Sequence, residues 1–181
     1  MTTLTIAQLS DVHLGPISGF TPAYWDAKRL AGYLNWRFKR RSAFARAALD
    51  RILGDLAIAA PDHIVVTGDL ANIGLPDELA RALAWLSALG SPQRVAVVPG
   101  NHDIYGVLRR DRGTARWIDY MSSDAEGTVL AGAAGFPFVR VLGTVALIGV
   151  NTARPTPRRR RPPALAPTCR AQTCRGGGGR G

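Results

Sequence analysis

Cysteine is nearly missing from this chain of 181 residues: there are two, Cys169 and Cys174, both close to the C-terminal end with four residues between them. That spacing is neither a disulfide framework nor the two-residue gap of a zinc knuckle, which argues against a cysteine-stapled scaffold and a thiolate metal site. Long apolar runs are also lacking. The longest, near residues 141–150, is about half of what a bilayer span needs, and no basic segment followed by an apolar stretch opens the chain. A soluble, cytoplasmic protein without a membrane span is the expectation. Acidic residues are missing from the C-terminal part: all thirteen Asp and Glu precede residue 127, whereas residues 151–181 hold eight Arg and no acid. Of 23 basic residues, fifteen lie in the first 150, so that part carries only +2 of the net charge of +10. The basic character belongs to the tail and says little about what the folded part binds. Histidine is scarce too, with His13, His63 and His102 and none after.

What is present is a regular alternation. Leu4 to Leu9, Ile64 to Thr67 and Arg94 to Val98 read as buried strands, and each runs into a polar exit: Asp11-Val12-His13, Gly68-Asp69 and Gly100-Asn101-His102-Asp103. Helical periodicity lies between them. Ala43 to Ala59 places Ala45, Leu49, Ile52, Leu53 and Leu56 on one face, and Pro76 to Leu89 opens with Pro-Asp-Glu, as the first turn of a helix prefers. Residues 23–41 predict a strongly cationic helix whose aromatic residues could stack on a base or lipid but are expected to pack against the domain. Phe138 to Leu142 and Val145 to Val150 predict a hairpin turning at Gly143-Thr144. Strands separated by helices give an α/β fold with a largely parallel core. Residues 158–181, rich in Arg, Gly, Pro and Ala and without periodicity, are expected to be a disordered tail after a domain spanning residues 1–157.

In such a sheet, loops at the carboxyl ends of the strands converge on one edge, where ligands collect. Asp11, His13, Asp69, Asn101 and His102 of the three exits bring two carboxylates, two imidazoles and an amide oxygen to that edge. If the extended conformation persists past Leu9, Asp11 and His13 point to one side. This donor set suits a divalent Mn, Fe, Zn, Co or Ni ion. Asp103 beside His102 suits a carboxylate that orients the imidazole. His63, placed before the second strand, lies on the order of 20 Å from Asp69 at the far edge and is expected to be a surface or strand-start residue.

The ordered set Asp11-Val12-His13, Gly68-Asp69, Gly100-Asn101-His102-Asp103 resembles the calcineurin-like metallophosphoesterase family, and PDHIVVTGDL, VVPGNHDIYG and LIGVNTARP are similar to it around these motifs. The resemblance implies a four-layer α/β sandwich holding two divalent metal ions, and hydrolysis of a phosphomonoester or phosphodiester by a metal-held water. Position by position it implies Asp11 and His13 on one ion, Asp69 between both, Asn101 on the second, and His102, with Asp103 behind it, as catalytic residues at the phosphate. The family also uses a later histidine and a Gly-His-x-His pair. With no histidine after His102, the sandwich is expected to be incomplete and the chain to bind fewer ions. The abrupt change of composition after residue 157 is what a shift of reading frame in GC-rich coding DNA would produce. Two alternatives follow from it: a catalytically inactive fragment, or a nonspecific nucleic-acid-binding protein acting through its Arg-rich tail.

Overall fold

A computed structural model describes residues 3–40, 46–106, 108 and 111–155; the segment 158–181 and the start of the helix expected from Ala43 lie outside the described residues. Three short strands, β1 (Ile6–Leu9), β2 (His63–Val66) and β3 (Val95–Val97), form a parallel sheet in the order β1-β2-β3. Ile6 pairs with His63 and Ile64 with Val95, so all three carboxyl ends leave on the same edge. Parallel strands need long crossovers. The first runs through α1 (Ala27–Asn35), a π-helical turn (Trp36–Arg40) and α2 (Arg46–Ala59), and the second through α3 (Pro76–Leu89). A 3-10 helix (Gly113–Met121), α4 (Ala125–Ala131) and the antiparallel hairpin β4 (Phe138–Leu142) and β5 (Val145–Gly149) follow. The expected α/β class and largely parallel core are what the chain forms.

The apolar periodicity of α3 explains the core. Leu79, Ala82 and Leu86 lie on one side of that helix, fully buried against Val66, Val95 and Val97 of the sheet, and Trp117, Tyr120 and Met121 of the 3-10 helix close the same cluster. Each large apolar side chain removed from water in this way stabilises the fold by about 1.5–3 kcal/mol. Trp117 also donates its indole N–H to the Leu79 carbonyl at 3.0 Å, so its one polar atom is satisfied. The hairpin is tied on by Arg140, a buried guanidinium that donates to the carbonyls of Ser122 and Val95.

Several expectations require correction. β1 is not a buried strand: it lies at the end of the sheet order, and Ile6 is 39% exposed. Ile52 of α2 is exposed rather than part of the packed face. The cationic segment is not one helix, and only part of its apolar surface packs. Asp26 caps α1 by accepting the N–H groups of Lys28 and Arg29 at 2.9 and 2.8 Å, and Trp36 is buried, yet Trp25, Leu30, Leu34 and Phe38 are exposed. No described helix is long and apolar enough to cross a membrane.

Candidate metal centre

The exits of β1 and β2 stay joined beyond the strands. Asp11 N–H donates to the Gly68 carbonyl at 3.2 Å, His13 N–H to Asp69 at 2.9 Å and Leu14 N–H to Leu70 at 2.7 Å. The extended conformation does not persist, however: Asp11 (φ 54°), His13 (φ 45°) and Asp69 (φ 56°) all sit in the left-handed region. For residues with a Cβ each such conformation costs of order 1 kcal/mol or more, and it persists where the surroundings over-determine it. Here it turns three donors toward one point. One ligand atom each from Asp11, His13 and Asp69 lies within 4.8 Å of the others.

The third exit is brought in by close backbone approach. Gly68, at φ 88°, rests on Gly100, and a Cβ at Gly68 would stand 2.6 Å from the Gly100 Cα. A Cβ at Gly100 would in turn overlap the Asp69 carboxylate. His102 N–H donates to Asp69 Oδ1 at 2.9 Å, and the His102 ring meets the His13 ring edge-on with centroids 4.9 Å apart. Asn101 occupies the exposed start of the turn that follows, beside these groups.

Both imidazoles are oriented by carbonyls. His13 Nδ1 bonds the Ala71 carbonyl at 3.0 Å and His102 Nδ1 the Asn72 carbonyl at 2.5 Å. A carbonyl can only accept, so Nδ1 carries the proton on each ring and the lone pair or second proton belongs to Nε2. Such a bond at the outer nitrogen is what a metal-ligating histidine requires. The orienting role expected of Asp103 is therefore corrected. Its carboxylate lies beneath the loops and accepts the backbone N–H groups of Asp69 (2.8 Å), Ala71 (2.7 Å) and Gly100 (2.9 Å). Burial pushes this carboxyl up to about 7, with Asp69 adding to the rise while the N–H groups of Ala71, Gly100 and Asp69 oppose it.

Sequence reasoning missed a second carboxylate of this kind. Glu78, 1% exposed in the first turn of α3, accepts the N–H groups of Asn72, Ile73 and Leu75 at 2.9–3.1 Å. Together Asp103 and Glu78 fix the loop from Asp69 to Leu75, including both carbonyls that aim the histidines. The Pro-Asp-Glu opening of α3 was the available signal. Also missed was the wall beside His102. The Tyr105 ring packs against it at 5.4 Å between centroids, and Lys28 Nζ lies 4.2 Å over the Tyr105 ring. His63 takes no part: it begins β2, whose other end leads to Asp69, and it is buried rather than at the surface. A hollow of about 360 Å³ between α2 and α3, lined by Leu53, Ile64, Trp85 and Arg94, likewise lies at the amino ends of the strands, away from these donors.

Two carboxylates and a tautomer-fixed imidazole within one ion's reach fit a divalent cation of the borderline class. No curated protein matches the chain. The family model of the calcineurin-like phosphoesterases matches residues 4–164, a span that takes in every strand and helix described above and each of the donors, and the chain belongs to that family.

Proposed function

We propose that this chain hydrolyses a phosphomonoester or phosphodiester, with Asp11, His13 and Asp69 holding one divalent ion and Asp69 and Asn101 a second. The observation that carries the reading is the meeting of Asp11, His13 and Asp69 within 4.8 Å from segments more than fifty residues apart. Ions bound there would supply charge neutralisation at the phosphate and a water of lowered pKa. The chain's own residues do the rest. Asp69, whose Oδ1 accepts the His102 N–H, would be shared between the two ions and reduce their repulsion. His102, with Nδ1 held by Asn72, would deliver a proton from Nε2 to the leaving oxygen. Asp103 holds the backbone of all this in place. With three donors for the first ion and two for the second, the first is short of a ligand and the second should bind more weakly still.

The test is twofold. Calorimetric titration with Mn should show at least one site, and added Mn should support hydrolysis of a generic aryl phosphodiester. Asp69→Asn should lower that turnover by at least about a hundredfold and weaken Mn binding, because the remaining donors no longer span the site. Turnover indifferent to Asp69→Asn, or no turnover with Mn, Fe, Zn, Co or Ni, would overturn the reading.

A further inference from the structure

The exposed apolar residues of the cationic segment form a surface. At about 100° per residue around a helix, Leu30, Leu34, Arg37 and Phe38 cluster on one side of α1 and its π-helical extension, and Arg29, Gly32 and Trp36 on the opposite side. The second group faces the protein. Arg29 and Trp36 are buried, and Gly32 lies so close to Tyr105 and Ile73 that a Cβ would stand 2.5 Å from the tyrosine oxygen. The first group faces away: Leu30 and Leu34 are each 44% exposed, Phe38 79%, and Trp25, just before the helix, 60%. Phe20, Tyr33 and Trp36 continue from Trp25 as a chain of rings, with centroids 6.4, 4.9 and 6.2 Å apart in succession.

Charge says what covers this face. Between Asp26 and Asp50 the sequence holds no acid and seven basic residues; Lys28 and Arg29 turn inward to Tyr105 and Asp26, Arg37 is exposed beside the stripe, and Lys39, Arg40, Arg41 and Arg46 follow it in the sequence. A bare apolar stripe of Leu and Phe, flanked by Trp and Tyr and set in a cationic segment, has the chemistry of a helix that lies in the plane of a membrane surface, its apolar side among the acyl chains and its cations at anionic headgroups. A protein partner would need a groove both apolar and acidic, whereas an anionic bilayer offers the two together. We infer that this chain docks peripherally on anionic lipid bilayers through Trp25, Leu30, Leu34 and Phe38. The inference goes beyond the hydrolase reading and does not depend on it.

Flotation of the full chain with liposomes tests it. At physiological salt the protein should float with phosphatidylcholine liposomes containing about a third phosphatidylglycerol and stay behind with phosphatidylcholine alone, and Trp emission should shift to the blue on binding. The double variant Leu34→Glu, Phe38→Glu should bind anionic liposomes at least about tenfold more weakly, with the far-ultraviolet circular dichroism and the urea midpoint unchanged. Replacing Arg158 to Arg161 with Ser should leave binding intact. A native chain that ignores anionic liposomes would overturn the proposal. So would a double variant that floats as well as the native chain, which would assign binding to the tail. A native dimer that the double variant turns into a monomer would assign the stripe to a second copy and equally sink it.

Discussion

Gly100 packs against the Asp69 carboxylate with no room for a methyl group, while Gly68 holds a left-handed conformation against Gly100. At these two positions the absence of a side chain lets the second and third strand exits touch. Gly100→Ala is therefore expected to displace Asp69 rather than unfold the domain. Mn affinity measured by calorimetry should drop at least about tenfold and the urea midpoint should fall with it, because a Cβ would meet the Asp69 backbone N at 2.6 Å as well as its carboxylate, between half-buried loops. An unchanged affinity would show that the site tolerates the displacement. The sequence announced both glycines as turn residues beside donors. The left-handed conformations of Asp11, His13 and Asp69 were not legible, because nothing local demands them: they follow from hydrogen bonds to Gly68, Asp69 and Leu70 that join segments far apart in the chain.

At the scale of elements, the loop between β2 and α3 is shaped by carboxylates at its two borders. Glu78 satisfies three buried N–H groups from the first turn of α3, and Asp103 satisfies three more from the turn after β3. Glu78→Ala leaves the first three without their acceptor. At roughly 1 kcal/mol or more for each orphaned donor, the variant should lose about 3–5 kcal/mol in urea unfolding, and Glu78→Gln, which keeps one acceptor oxygen, about half of that. A loss below about 1 kcal/mol would mean that water replaces the carboxylate. Helix spacing made α3 readable to the residue, and alternation with a Gly turn found the hairpin with its second strand one residue too long, ending at Val150 instead of Gly149. The 3-10 helix of Gly113–Met121 gave no such signal, since its conformation is set by burying Trp117 and Tyr120 against α3 rather than by local periodicity.

For the molecule as a whole, His63 sets a pH dependence. Burial at the start of β2, with Arg140 and Arg94 nearby and Asp124 opposing weakly, lowers its pKa from 6.5 to about 4. The unfolded chain thus takes up a proton that the folded chain refuses. The resulting stability is fully present above pH 6.5 and is lost as pH falls toward 4. Between pH 7 and pH 5 this single group should remove about 2 kcal/mol, while Asp103, raised to about 7, takes up a proton in the folded chain and offsets it, so His63→Leu should gain about 2 kcal/mol in urea unfolding relative to the native chain on going from pH 7 to pH 5. A variant with the same pH dependence as the native chain would locate the acid sensitivity elsewhere. His63 was expected at the surface or at a strand start; it is at the strand start, and only tertiary packing, with Arg140 bound to the Val95 carbonyl of the neighbouring strand β3, decided for burial.

The sequence by itself determined the alternation of strands and helices, the three polar strand exits and the chemical identity of the donors, because hydrophobic period, turn residues and side-chain chemistry are local properties of the chain. Tertiary structure decided which of those residues meet. It turned Asp11, His13 and Asp69 together through left-handed backbone, gave the two histidines carbonyl partners, and moved Asp103 from an imidazole to three amides. It also left Leu30, Leu34 and Phe38 uncovered where an apolar stripe had suggested core. Those outcomes depend on how segments distant in the chain satisfy one another's hydrogen bonds and bury one another's surfaces, and no window of neighbouring residues contains that information.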